Sequence, residues 1–275
     1  MSLADSQVKI KRNFPCKPKI WLTTEHLITL STVAVIFISW YAATEWKLFS
    51  EVIIPPPGKV YKTFIDILSE GYKGAALSTH LFDSIERLLA AFVFVCLTAV
   101  PAGLLSGYNS KIRAVLEPLV GFYRPLPPLA YYTMLVIWMG IGNSSKIMLL
   151  YLAGFAPVYL ACISGVMKIK RDYISGAYTL GANKYQVFVY VVLPACLPDI
   201  FTGLRTALGF SYTTLVAAEM VAAETGIGWM VLDASKFLLS DVIFVGIFIM
   251  GITGIMLDVL LKFMENKIIP WKGKE

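Results

Sequence analysis

The chain has 275 residues, of which 57% are hydrophobic and only 15% charged. Soluble domains carry roughly 45–50% apolar and about 25% charged residues, so this composition excludes an ordinary soluble domain, a disordered chain, a collagen-like repeat and a disulfide scaffold. The net charge of +6 comes without a compact basic patch interleaved with aromatics, which argues against nucleic acid and for Lys and Arg gathered in the loops of a membrane protein.

A helix needs roughly 20 apolar residues to cross a bilayer, and six stretches qualify. Leu27–Thr44 follows a basic tail, residues 1–26. Its apolar core is long for a signal peptide and no small-residue cleavage site precedes Glu45, so an uncleaved anchor is expected. Trp46–Glu86 is a long polar loop that opens with Pro55, Pro56 and Pro57. Within it Val60, Phe64, Ile65, Ile67 and Leu68 recur at helical spacing, the pattern of an amphipathic helix on the bundle or the membrane surface. Leu88–Ser110 is the second span. Leu119–Ile141 is the third, interrupted by Arg124-Pro125-Leu126-Pro127-Pro128. Ile147–Met167, Ile200–Val221 and Val242–Leu261 complete the set. The expectation is an all-α integral membrane bundle of about six transmembrane helices, with the bundle over residues 27–265 and a short tail over 266–275.

The positive charges fall on alternate sides of these spans. Fifteen Lys and Arg lie in the first tail, the second-to-third loop, the fourth-to-fifth loop and the last tail, against six in the opposite loops. The richer side marks the cytoplasm, so both termini are expected inside.

Chemistry-bearing motifs are missing. There is no phosphate loop, no nucleophile elbow and no H-E-x-x-H. Cys16, Cys96, Cys162 and Cys196 are widely spaced, and His26 and His80 are two isolated histidines. No catalytic, cofactor or metal residues are therefore expected, and any ATP used must be bound by another subunit. Arg205 and Glu219 are 14 residues apart, about 21 Å along a helix, so they cannot pair within one span. A midplane nearly free of charge weighs against a proton relay.

Lys168–Pro198, between the fourth and fifth spans, is too long for a simple turn. Arg171–Leu180 reads as a short helix ended by Gly181 in a left-handed conformation. Asn183 reads as the N-cap of a second helix, Lys184–Val192, which Pro194 and Pro198 are expected to stop.

Ser175-Gly176-Ala177, three residues, Gly181, nine residues, then Val191-Val192-Leu193-Pro194 resembles the cytoplasmic loop of ABC importer permeases, E-A-A, three residues, G, nine residues, I-x-L-P. The departures are Ser175 for Glu, Gly176 for Ala and Val191 for Ile. Ile54–Pro57, Tyr123–Ala130, Trp138–Gly142, Leu180–Ala182, Thr202–Arg205 and Leu215–Glu219 extend the resemblance to the nitrate/sulfonate/taurine permease group. Phe155–Val158 and the ending Pro270–Gly273 are most similar to its taurine branch. The resemblance implies an inner-membrane permease that moves taurine or another small sulfonate, with alkanesulfonates, nitrate or pyrimidine precursors as alternatives. It also implies a second permease copy, two ATP-binding cassette subunits and an extracytoplasmic binding protein as partners. A secondary transporter and a membrane scaffold are rival readings. The loop residues Ser175, Gly176, Ala177, Leu180, Gly181, Val191, Leu193 and Pro194 would couple to the ATPase.

Five residues are candidates for a translocation path: Arg124, Pro127, Tyr131, Arg205 and Glu219. Each has two readings. Arg124 and Arg205 either attract an anionic sulfonate, or snorkel to headgroups or pair with a neighbouring carboxylate. Pro127 either opens the third span or only bends it, and Tyr131 is either a gate or an interfacial aromatic. Glu219 and Glu224 either dock a binding protein or form a solvated rim.

Overall fold

The computed structural model describes residues 24–271. The basic tail before Thr24 and the last four residues, including Lys272 and Lys274, lie outside the described residues. The chain divides into two units, Met1–Phe49 and Ser50–Glu275.

The described part of the first unit is α1, Thr24–Glu45, apolar on all sides. Its hydroxyls turn inward on their own helix: Ser31 and Thr32 donate to Ile28 O, Ser39 to Ile36 O and Thr44 to Tyr41 O. A helix in hydrocarbon must satisfy its polar groups internally, and this one does.

The second unit contains α2 (Pro57–Glu70), α3 (Leu77–Tyr108), α4 (Ser110–Tyr123), α5 (Pro128–Met139) and α6 (Asn143–Lys168). After these come α7 (Arg171–Thr179), α8 (Lys184–Val187), a π turn (Phe188–Val192), α9 (Leu193–Ala222), α10 (Ile227–Lys236) and α11 (Ser240–Ile268). No strand is present among the described residues. As the sequence predicts, α2 carries one apolar stripe, and it starts on Pro57, whose fixed φ suits a first turn. It is tied to α11 by Thr63 Oγ1 donating to Asp241 at 2.8 Å.

At the centre of the unit, α6 is packed between α3 and α9. Arg87, Gly103 and Gly107 of α3 meet Asn143, Tyr159 and Val166 of α6 in rising order, so α3 and α6 run parallel. Ser211, Gly203 and Asp199 of α9 meet Leu150, Ala161 and Gly165, so α9 runs antiparallel to α6. By the same test α11 is antiparallel to α9, since Arg205 bonds Asp258 and Tyr212 bonds the Met250 carbonyl. One end of the bundle therefore gathers the C-termini of α3, α6 and α11 with α7 and α8. The other gathers the N-termini of α3, α6 and α11 with α10.

Five helices among the described residues are long and apolar enough to cross a membrane. The expected third span is not a single one of them. It is α4 and α5, 14 and 12 residues, parted at Arg124–Pro127. Pro125, Pro127 and Pro128 offer no N–H, and each biases the residue before it away from helix. Yet α3 and α6 are parallel, so residues 109–142 must carry the chain back from one end of the bundle to the other. The crossing exists as a broken one.

Two boundaries also move. α3 begins at Leu77 rather than Leu88, because His80, Ser84 and Arg87 are buried in its first turns and hydropathy treats them as loop. The second loop helix does not stop at Pro194. The π turn closes with Leu193 N–H on the Phe188 carbonyl, and α9 continues at once with Pro194 in its first turn, where a missing N–H is harmless.

Close approach of α3 and α6 depends on Gly103. A Cβ there would stand 2.6 Å from Cys162 Cβ and 2.7 Å from the Tyr159 carbonyl. Small residues at helix contacts provide membrane bundles with their dispersion contacts. Replacing Gly103 by Val should lower the thermal midpoint of the detergent-solubilised protein or abolish its accumulation, whereas the same change at Gly121, which has open space around it, should leave both near the wild-type value.

Candidate functional site

The two ends of the bundle are built differently. At the end with α10, the centre is an ion pair. Arg87 of α3 is 4% exposed and Glu219 of α9 is 1% exposed. Arg87 Nη1 donates to Glu219 Oε1 at 2.7 Å. Ser84 Oγ donates to the same oxygen at 2.8 Å, and the Gly228 N–H donates to Oε2 at 3.0 Å. The carboxylate thus sits against the first turn of α10, where the helix end carries partial positive charge. The guanidinium is equally occupied, with Nε on Asn143 Oδ1, Nη1 also on the Thr225 carbonyl and Nη2 on Thr225 Oγ1. The pair joins α3, α6, α9 and the loop before α10.

That loop folds tightly because of Gly226. Its φ is +124°, and a Cβ would fall about 2.5 Å from both Glu219 carboxylate oxygens. The Gly226 N–H donates to His80 Nδ1 at 3.2 Å, which leaves Nε2 to carry the ring proton toward the Tyr72 carbonyl at 3.3 Å. The His80 ring stacks on Trp229. Tyr72, in the loop before α3, is pushed up to about 12 by burial and by its bond to Asp233, so its hydroxyl stays a donor. Lys146, also buried, spends its charge on the Ile141 and Gly142 carbonyls in the turn between α5 and α6.

The opposite end presents its elements outward. α7 ends in a Schellman motif: Gly181 N–H reaches the Tyr178 carbonyl at 2.9 Å and Ala182 N–H the Ala177 carbonyl at 3.0 Å. Gly181 has φ +87° and nothing within 4 Å of a Cβ, so conformation alone selects glycine there. Asn183 then caps α8 through a reciprocal pair with Gln186, both bonds 2.9 Å. Both features agree with the sequence reading. Ala177, Val191 and Leu193 pack inward against the core, while Ser175, Gly176, Leu180 and Gly181 face out. Pro194 is half-buried at the start of α9. Leu180 is 90% exposed, and Tyr173, Tyr185 and Tyr190 are also exposed. Lys168 and Asp199 bridge the two stems of the loop at 2.6 Å.

The five candidate path residues do not form one cluster. Arg124 and Tyr131 line a cavity of about 410 Å³ at the α4–α5 break, facing α6 and α9. Pro127 caps α5 next to it and is exposed. Arg205 makes a bidentate pair with Asp258 of α11, 3.0 Å on each arm, the carboxylate alternative. Glu219 is enclosed at the clamped end and has no surface to offer a docking protein, whereas Glu224 is exposed. Sequence reasoning missed Ser84, Asn143, Thr225 and Gly228. The signal available for the pair was Arg87, a cation at a span edge whose nearest carboxylate on its own helix, Asp83, stands 3.8 Å away.

Among the described residues no group of three His, Cys, Asp or Glu is placed to hold a metal. Residues 99–270 match the family of binding-protein-dependent transport system inner membrane components. The chain belongs to that family. It is 39% identical over 254 residues to the taurine transport system permease protein TauC of Escherichia coli (strain K12), covering 92% of each chain. It is 33% identical to a probable ABC transporter permease protein of Brucella abortus (strain 2308), covering 90% of this chain and 96% of the relative. It is 29% identical to the nitrate import permease protein NrtB of a Synechocystis strain, covering 72% of each. The chain is thus an ABC-type permease of the taurine, sulfonate and nitrate group, a multi-pass membrane component of its transport system.

Breaking a buried ion pair from one side leaves a charge without a partner and costs about 3–5 kcal/mol. Arg87→Met should therefore destabilise the purified protein strongly in thermal unfolding, and Arg87→Met combined with Glu219→Met should recover most of that loss.

Proposed function

We propose that this permease moves taurine or a closely related small sulfonate inward, driven by ATP hydrolysed on a separate subunit. The 39% identity to a taurine transport permease across 92% of both chains carries the substrate assignment. Nitrate is the second reading, supported by the 29% identity to NrtB. The working assembly is two copies of this chain, two ATP-binding cassette subunits at the α7–α8 end and an extracytoplasmic binding protein at the α10 end. The α7–α8 end faces the cytoplasm, in keeping with the Lys and Arg distribution, and both termini lie inside. The localisation is the bacterial inner membrane.

The loop supports the ATPase assignment physically. It presents Leu180 and several tyrosines to solvent, yet its backbone is fixed at both helix ends by the Schellman motif and the capping box. A rigid apolar knob enters a partner groove with little entropic loss. When ATP closes the two ATPase subunits, the loops follow, and the permease shifts between inward- and outward-facing populations.

Two experiments test this. Cells carrying the chain should take up labelled taurine, lose uptake on deletion of the chain or depletion of ATP, and keep it in excess nitrate. Uptake blocked by nitrate would move the substrate to the second reading. Gly181→Trp should insert normally and yet abolish co-purification with the ATPase subunit; normal transport in that variant would overturn the coupling role.

A further inference from the structure

Three arginines lie within or at the edge of the expected spans. Two are neutralised: Arg87 by Glu219 and Arg205 by Asp258. Arg124 makes no side-chain ion pair or hydrogen bond among the described residues. Nor is it near an end. Its cavity is walled by Pro157, Thr202 and Thr206. Pro157 lies 11 residues before the end of α6, about 16 Å along the axis. A cation at that depth is costly, and such residues face water-filled cavities or substrate paths.

The surroundings of Arg124 suit an anion. Its cavity, at about 410 Å³, is in the range of small-molecule sites. Pro128 and Tyr131 bring the first turn of α5 to the wall, and that end of a helix adds partial positive charge. No acidic residue lines the cavity. Tyr123, next to Arg124 and also in the wall, has a buried hydroxyl without a hydrogen-bond partner. The same wall thus carries an unused donor and an unused cation.

We infer that this cavity is a subsite for the oxyanion headgroup of the transported molecule, with Arg124 as its binding charge. The inference rests on the transport reading and assigns the place where the anion is held during crossing. A sulfonate has three oxygens in the geometry that a guanidinium fork matches. The break between α4 and α5 is what admits the ligand, because a continuous helix would fill this position with packed side chains.

The test uses the complete importer, this chain with its ATP-binding and binding-protein partners, in proteoliposomes with labelled taurine. Arg124→Gln should lower ATP-driven flux at least about tenfold, the scale of one charged hydrogen bond, while the complex still assembles and hydrolyses ATP. Arg124→Lys, which keeps the charge but loses the fork, should give a flux between those of wild type and Arg124→Gln. Thr206→Phe, at an exposed position on the cavity wall, should block flux with Arg124 intact, and it serves if Arg124→Gln does not assemble. Wild-type flux in Arg124→Gln or in Thr206→Phe would overturn the subsite. If the wild-type importer carries no taurine, the taurine reading fails. The variants are then compared on labelled methanesulfonate and nitrate, where loss in Arg124→Gln supports the subsite and unchanged flux overturns it.

Discussion

Parallel packing of α3 against α6 is the constraint on which the rest of the second unit depends. Two parallel neighbours in a membrane cannot be consecutive crossings, so the chain between them must return through the bilayer. That return is made by α4 and α5. The prolines at 125, 127 and 128 divide it, and the division leaves a cavity beside α6 and α9. The returning segment packs into the core on both sides of its break, through Val120 of α4 and Tyr132 and Leu135 of α5. The place where the fold is irregular is thereby also the place where it is open.

The two ends of the bundle then divide mechanical labour. At one end a buried ion pair with six further hydrogen bonds or charged contacts around it fixes α3, α6, α9 and α10 in one arrangement. Such networks lose far more when half-broken than they add when complete. At the other end the loop between α6 and α9 is locally stiff but exposed. It lies on the stems of α6 and α9, which pack antiparallel along their length. Tyr108 of α3 and Tyr178 of α7, with hydroxyls 3.3 Å apart, tie the loop to the third helix of the core.

Much of this was legible in the sequence, and the gaps have physical causes. Gly181 and Asn183 were readable because helix caps are local: a left-handed turn and an N-cap depend on few residues. The long apolar helices were readable by hydropathy. The apolar run at 119–141 marks a crossing and its proline cluster marks an interruption; the structure makes that interruption a full break between two helices. The polar first turns of α3 read as loop, since nothing local reveals that Arg87 and Ser84 meet a carboxylate 132 and 135 residues away. Pro194 reads as a stop because the rule for proline assumes regular α-helix before it, and a π turn removes that premise. Of the path candidates, the sequence identified the charges but not their partners. Arg205 and Glu219 found carboxylate and guanidinium on other helices, and Arg124 did not.

The proposed orientation puts the α7–α8 loop inside the inner membrane and the Glu224 loop outside it. In a cysteine-free background of the full chain, Leu180→Cys and Glu224→Cys place one reporter on each exposed loop. A membrane-impermeant maleimide should label Glu224→Cys in intact, outer-membrane-permeabilised cells and label Leu180→Cys only after the inner membrane is opened. Labelling of both from the same side, or of Leu180→Cys alone in intact cells, would contradict it.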